Sequence, residues 1–174
     1  MEQLVIHGGH PLRGHVKIGG AKNAVLPIIA AALLGANGKS VLDDVPALED
    51  VYTITAVLRA LGVTADYTAS EHRLVIDASH IATVAAPYDL VRKMRASFLI
   101  MGPLLAREGH AEISLPGGCA IGTRPIDLHL KGFEALGAEI EITQGDIHAR
   151  APHGLKGARI YFDFPSVGAT ENVM

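Results

Sequence analysis

Apolar positions along this chain follow two rhythms, one of helical spacing and one of alternation, and the two take turns. From Ala21 to Leu34, Ala, Leu and Ile recur at helical spacing until Gly35 and Gly38 stop the run, which predicts a helix. Glu49 and Asp50 open a second helix, with acids favoured in its first turn, and it runs through Leu58 and Leu61 to a cap at Gly62. Leu90 to Leu105 and Asp127 to Leu136 predict two more, the latter capped by Gly137. Strand-like segments lie between them: Ser40 to Val45, Ala111 to Leu115, and two hairpins. Thr64–Tyr67 and Arg73–Ile76 turn around Ser70-Glu71-His72, and Glu139–Thr143 and Ile147–Arg150 turn around Gln144-Gly145-Asp146. Leu4–Ile6 and His15–Ile18 also read as short strands, punctuated by glycines and Pro11.

The order helix, strand, helix, hairpin occurs twice. Val45-Pro46 answers Leu115-Pro116, and Leu58-Arg59-Ala60-Leu61-Gly62 answers Phe133-Glu134-Ala135-Leu136-Gly137. Pro46 and Gly62 stand 16 positions apart, whereas Pro116 and Gly137 stand 21 apart, so the second copy carries five extra residues around 117–121. Scaffold packing does not require such an insertion, which makes it a place to look for function. A third copy begins at Ala158–Phe162, where Gly168-Ala169-Thr170-Glu171-Asn172 echoes Gly20-Ala21-Lys22-Asn23. With a helix starting near Met174, the chain is expected to be part of something longer. The pattern predicts an α/β (α+β) fold with repeat one over 19–77, repeat two over 88–151 and the start of repeat three over 158–174.

Composition narrows the function. Hydrophobic residues make up 49% of 174 and aromatics only 5%, with no Trp, so the core must be aliphatic. A net charge of -3 leaves no global basic field for nucleic acid, and any anion must be met by a local cluster. The longest apolar run, Ala24 to Leu34, is too short to span a bilayer, and no secretory signal opens the chain, so the cytoplasm is the expected compartment. One cysteine excludes an internal disulfide framework. The nine histidines show no metal-ligand spacing, so neither a metal nor a cofactor is expected.

That cysteine, Cys119, lies inside the inserted segment, among Gly117, Gly118 and Gly122, with Arg124 five positions on. A thiol titrates near 8.5, and a neighbouring Arg124 or Lys22 would lower it into the range of a proton donor or nucleophile. The competing reading is a buried cysteine acting as a small hydrophobe. Gly19-Gly20-Ala21-Lys22-Asn23 offers a glycine turn before a helix, where backbone N–H groups and a lysine can meet an anion. It is not a P-loop, and an exposed lysine at a helix start is the plainer alternative. Arg92 and Lys93 fit a solvated face, whereas Arg95 lies beside Ala96-Ser97 and an apolar stretch and points to a cleft. Thr123 to His129 combines a cation, an acid and a histidine.

On Gly20-Ala21-Lys22-Asn23-Ala24, the segment Pro116 to His129, Leu90 to Ser97, and Ser166 to Asn172, the chain closely resembles the N-terminal part of the UDP-N-acetylglucosamine 1-carboxyvinyltransferase family of enolpyruvyl transferases. The resemblance runs over essentially all 174 residues, and the cysteine loop is its most specific part. It implies an inverse α/β barrel of two similar domains, each of three repeated units around buried helices, with residues 1–18 belonging to the second domain. It implies transfer of enolpyruvyl from phosphoenolpyruvate to the sugar 3-hydroxyl with release of phosphate. Cys119 would be the general acid and the group alkylated by fosfomycin. Lys22, Asn23 and Arg124 would hold phosphoenolpyruvate. Arg95, Arg124, Pro125, Ile126, Asp127, Leu128, Ser166, Val167 and Gly168 would bind UDP-N-acetylglucosamine. Both substrates are small anionic molecules, which suits clustered Lys and Arg on a nearly neutral protein.

Leu99 and Phe164 stand where some relatives carry Trp and Lys. The family's aspartate base and further arginines lie beyond residue 174, so these residues alone are not expected to turn over. Two other readings stand beside this one. The sister enzyme, 5-enolpyruvylshikimate-3-phosphate synthase, shares the fold but lacks the cysteine loop and has Lys-Ser where Lys22-Asn23 stands. A non-catalytic binding fragment would keep the repeat without the chemistry.

Overall fold

A computed structural model of the chain describes residues 3–92, 94–115 and 126–174, without the Arg95 side chain. The expected repeat is visible in its sheets. The first unit contains α1 (Lys22–Ala31), β1 (Ser40–Leu42), α2 (Glu49–Ala60), β2 (Thr64–Thr68) and β3 (Arg73–Asp77). The second contains β4 (Ala85–Ala86), α3 (Tyr88–Val91), α4 (Met101–Glu108), β5 (His110–Ser114), α5 (Asp127–Ala135), β6 (Glu139–Thr143) and β7 (Asp146–Arg150), and α6 (Val167–Val173) follows. The first sheet has the order β1-β3-β2, all antiparallel. In the second, β5-β7-β6 repeats that order antiparallel, and β4 adds a parallel edge. Two residues cannot show alternation, and β4 left no trace in the apolar pattern.

The two hairpin-preceding helices end identically. The Gly62 N–H donates to the Arg59 carbonyl and Val63 to Leu58; Gly137 donates to Glu134 and Ala138 to Phe133. Both glycines have positive φ, 88° and 93°, which closes a Schellman cap that a β-carbon would strain. Leu58 and Val63 are both buried, so the first cap also carries the apolar contact typical of the motif.

The expected helix from Leu90 to Leu105 is instead three pieces. After α3, Met94 turns extended with φ -142° and ψ 116°, a 3₁₀ stretch runs over Arg95–Ile100, and α4 begins at Met101. Two features interrupt the ladder. Pro103 has no N–H to give, and the Gly102 N–H goes to the Asn172 side chain, 3.0 Å away. The strand expected over Ser40–Val45 closes at Leu42.

Two further expectations are corrected. Leu4–Ile6 and His15–Ile18 are not strands. A strand is held by its ladder partner, and Leu4 and Ile6 are 93% and 86% exposed with no described strand beside them.

The core is aliphatic, built on Ile29, Leu33, Ile54, Leu58, Leu74, Ile100, Leu104 and Leu105, with Phe133 as the largest wholly buried side chain. The 3₁₀ stretch packs against α1, α4 and α6, α4 packs on α6, and α6 also packs on α5. Two glycines permit that docking: a β-carbon on Gly102 would overlap the Asn172 carbonyl oxygen, and one on Gly132 would overlap Val173. Arg107 ties the two repeats. Its guanidinium donates to the carbonyls of Leu33, Gly35 and Ala78 at 2.8, 3.2 and 2.5 Å, and to Ser79 at 3.2 Å. None of the described helices is long and apolar enough to cross a membrane.

Candidate functional site

The start of α1 places a cation where local preference favours an acid. Lys22 is the first helical residue, and no acid occupies the first turn. A cation there opposes the helix dipole, while the first backbone N–H groups lack intrahelical acceptors. Gly20 brings the chain into this turn so closely that a β-carbon would overlap the Asp44 carbonyl oxygen. Pro27, inside α1, removes the N–H that would have met the Asn23 carbonyl. The Lys22 ammonium is held by Asp50, with Nζ 2.7 Å from Oδ2.

Across from it, α6 begins at Ser166, whose Oγ accepts from the Ala169 N–H at 3.2 Å and whose carbonyl accepts the Thr170 hydroxyl at 2.8 Å. Between these two helix starts lies a cleft of about 600 Å³. Lys22 and Asn23 line one wall, and Ser166, Val167 and Gly168 another, with Ile126 and His129 from the start of α5 between them. Met94, Phe98 and Leu99 form an apolar floor. Met94 and Ala96, which flank Arg95, both reach the cleft.

Six expected site residues therefore meet here: Lys22, Asn23, Ile126, Ser166, Val167 and Gly168. Asp127 is exposed and Leu128 half-buried on the first turn of α5, off the cleft wall. Cys119, Arg124, Pro125 and the inserted segment lie outside the described residues, as does the Arg95 side chain. Among the contributors that sequence reasoning missed are Asp50, Phe98, Glu171 and the role of His129. Asp50 carried a signal, but an acid in a first turn has an ordinary helix-capping explanation.

His129 is buried at 6% exposure and packs edge-on to Phe98, with ring centres 5.0 Å apart and planes at 89°. Its Nδ1 lies 3.1 Å from Asn172 Nδ2. Further along α5, Lys131 Nζ donates to Asp163 Oδ2 at 2.5 Å, which holds the Asp163 carboxyl below its ordinary value.

Several known proteins resemble this chain in sequence or in fold. A sequence profile of EPSP synthase (3-phosphoshikimate 1-carboxyvinyltransferase) matches residues 6–174. UDP-N-acetylglucosamine 1-carboxyvinyltransferase 1 of Halalkalibacterium halodurans is 58% identical over all 174 residues, which span 39% of that protein. UDP-N-acetylglucosamine 1-carboxyvinyltransferase 2 of Carboxydothermus hydrogenoformans is 63% identical over the same residues, 41% of its length. Among solved structures, the enolpyruvyl transferase NikO from Streptomyces tendae superposes with a TM-score of 0.70 at 25% identity, over 87% of this chain and 32% of that one. EPSP synthase from Acinetobacter baumannii gives 0.70 at 19% identity, over 92% and 37%, a likeness of fold alone. The architecture is that of part of the two-domain enolpyruvyl transferases. The chain belongs to the EPSP synthase (3-phosphoshikimate 1-carboxyvinyltransferase) family. It spans about two-fifths of the length of the curated relatives it matches, and those relatives are named for UDP-N-acetylglucosamine rather than for shikimate.

Proposed function

We propose that this chain supplies the cysteine-bearing half of a site that transfers enolpyruvyl from phosphoenolpyruvate to the 3-hydroxyl of UDP-N-acetylglucosamine, the first committed step of peptidoglycan synthesis, in the cytoplasm. The observation that carries this is the meeting of the Lys22-Asn23 helix start with the Ser166–Gly168 helix start in one cleft, from opposite ends of the chain. The relatives' names favour the nucleotide sugar over shikimate 3-phosphate as acceptor.

In this reading Lys22, Asn23 and Arg124 hold the phosphate and carboxylate of phosphoenolpyruvate. Arg95, residues 124–128 and Ser166–Gly168 hold the nucleotide sugar. The Cys119 thiol gives its proton to the methylene carbon of phosphoenolpyruvate as the sugar oxygen bonds to the adjacent carbon. The tetrahedral adduct then returns a methyl proton to the Cys119 thiolate as its C–O bond to phosphate breaks, which leaves the enol ether, inorganic phosphate and the thiol restored. The base that takes the hydroxyl proton is assigned to sequence beyond residue 174. The expected domain division is part of the proposal: residues 1–18 join the second domain, and their exposed Leu4, Ile6, Val16 and Ile18 support that by needing cover.

Intact-mass spectrometry after incubation with fosfomycin and UDP-N-acetylglucosamine tests the cysteine. The protein completed to the length of its relatives should gain one adduct, and Cys119→Ala should gain none. No adduct, or one that persists in Cys119→Ala, contradicts the assignment.

A further inference from the structure

Hydrogen bonds converge on both peptide groups of Val45, a buried residue just past the end of β1. Its N–H donates to the His72 carbonyl at 2.8 Å. Its carbonyl accepts the Tyr67 hydroxyl at 3.1 Å and faces His72 Nδ1 at 3.3 Å. A carbonyl can only accept, so Nδ1 donates there. Burial, and then the neighbouring Tyr52, push the Tyr67 phenol above its ordinary value, so the hydroxyl stays a donor.

The second unit makes the same turn without these side chains. Leu115 answers Val45, and its N–H donates to the Gly145 carbonyl, also at 2.8 Å. Gly145 stands where His72 does. Ile142, five positions past Gly137, stands where Tyr67 does, five past Gly62. Neither has a side-chain donor to add. The repeat therefore forms this turn on a backbone bond, and the two added donors belong to the first unit.

What the first unit carries here is Lys22. Gly20 approaches the Asp44 carbonyl so closely that a β-carbon would overlap it, and that carbon would also come to 3.0 Å from Pro46 Cδ. Asp44, at φ 56°, and Pro46 flank Val45, so the turn into α1 is seated on the bend that Val45 anchors. A second route reaches the same lysine. Asp50, which holds the Lys22 ammonium, lies in the first turn of α2. Two positions on, Tyr52 meets the Tyr67 ring edge-on, with ring centres 5.4 Å apart. Tyr67 thus touches both supports of Lys22, the bend beneath its helix start and the helix of its counter-ion.

We infer that Tyr67 and His72 are positioning residues: by pinning the Val45 carbonyl they fix the bend that places the Lys22 ammonium for an anion. That the anion is a phosphate rests on the function proposed above; the pinning does not.

Tyr67→Phe and His72→Gly each remove one donor, and together they copy the second unit. Glycine also accepts the φ of 51° at position 72. Amide spectra of the ¹⁵N-labelled 174-residue chain test the pinning without ligand. The double variant should move the signals of residues 20–23 and leave those of residues 137–145 in place. Unmoved signals at 20–23 overturn the inference. Inorganic phosphate is the ligand probe. It should shift the Lys22 and Asn23 amides of the native chain, and the double variant should bind it about tenfold more weakly. His72→Asn, in the otherwise native chain, tolerates that backbone, offers an amide donor and should bind as the native chain does. A lower unfolding temperature with unchanged signals at 20–23 and unchanged phosphate affinity marks a purely structural pair and overturns the inference. Should the double variant not fold, the two single variants, each keeping one donor on Val45, decide by the same readings. Phosphate that moves no amide of the native chain counts against the proposed function, while the ligand-free comparison still decides the pinning.

Discussion

Lys22 Nζ lies 2.7 Å from Asp50 Oδ2, joining the first residue of α1 to the first turn of α2 at the edge of the cleft. Half of the lysine side chain is exposed, so the pair itself contributes about 1 kcal/mol or less to stability. Its consequence is for binding: a phosphate that reaches Lys22 must compete with a carboxylate already there. Asp50→Asn should therefore change the unfolding free energy by less than about 1 kcal/mol. It should also tighten inorganic phosphate binding a few-fold in calorimetric titration. Lys22→Ala should weaken it by roughly 10- to 100-fold, the worth of a charge-assisted hydrogen bond.

Arg107 satisfies four carbonyls from two segments with one guanidinium, and only 14% of its side chain is exposed. Arg107→Ala leaves those carbonyls short of a donor and should cost about 2–4 kcal/mol in urea unfolding. Arg107→Lys should recover little of that, because a single ammonium cannot span the fork.

The seat of α6 depends on absent β-carbons. In Gly102→Ala the new carbon meets the Asn172 backbone oxygen, which cannot yield without moving the helix, and a loss of about 1–3 kcal/mol is expected. Gly132→Ala meets only the end of the Val173 side chain and should cost less. Gly157→Ala meets nothing within 4 Å and should stay within about 0.5 kcal/mol of the native chain. Denaturant midpoints of the three variants check the order.

Acid should loosen the 77–79 turn. The Asp77 carboxyl is held below its ordinary value by the Ser79 hydroxyl at 2.6 Å and then by the Ser79 N–H at 3.1 Å. A carboxyl lowered in the folded state adds stability that is complete above the unfolded value of about 3.9 and is lost as pH falls through the lowered one. Native chain should thus exceed Ser79→Ala in stability at pH 7, and the gap should narrow as pH falls below the unfolded value of about 3.9. A gap independent of pH would contradict the linkage.

The caps at Gly62 and Gly137 were legible because a Schellman turn needs glycine within a few residues of the helix it ends. The hairpins and the second unit were legible for the same local reason. The diversion of the ladder at Gly102 was not, because its N–H goes to an amide 70 positions away. The terminal segments Leu4–Ile6 and His15–Ile18 have strand-like composition, but composition does not supply a ladder partner. In the cleft, Lys22 could be read from its glycine turn at a helix start, whereas Ser166–Gly168 came only from the family resemblance. Asn172 could not, since its meaning arises only when α6 meets Phe98, Gly102 and His129.

The central claim is the reaction, and phosphate release measures it. The protein completed to the length of its relatives, given phosphoenolpyruvate, should release inorganic phosphate when UDP-N-acetylglucosamine is added and not when shikimate 3-phosphate is added. Cys119→Ala should lower that rate by about 10²- to 10⁴-fold, the usual share of a general acid. Release that depends on shikimate 3-phosphate, or that proceeds at the native rate in Cys119→Ala, would contradict the account.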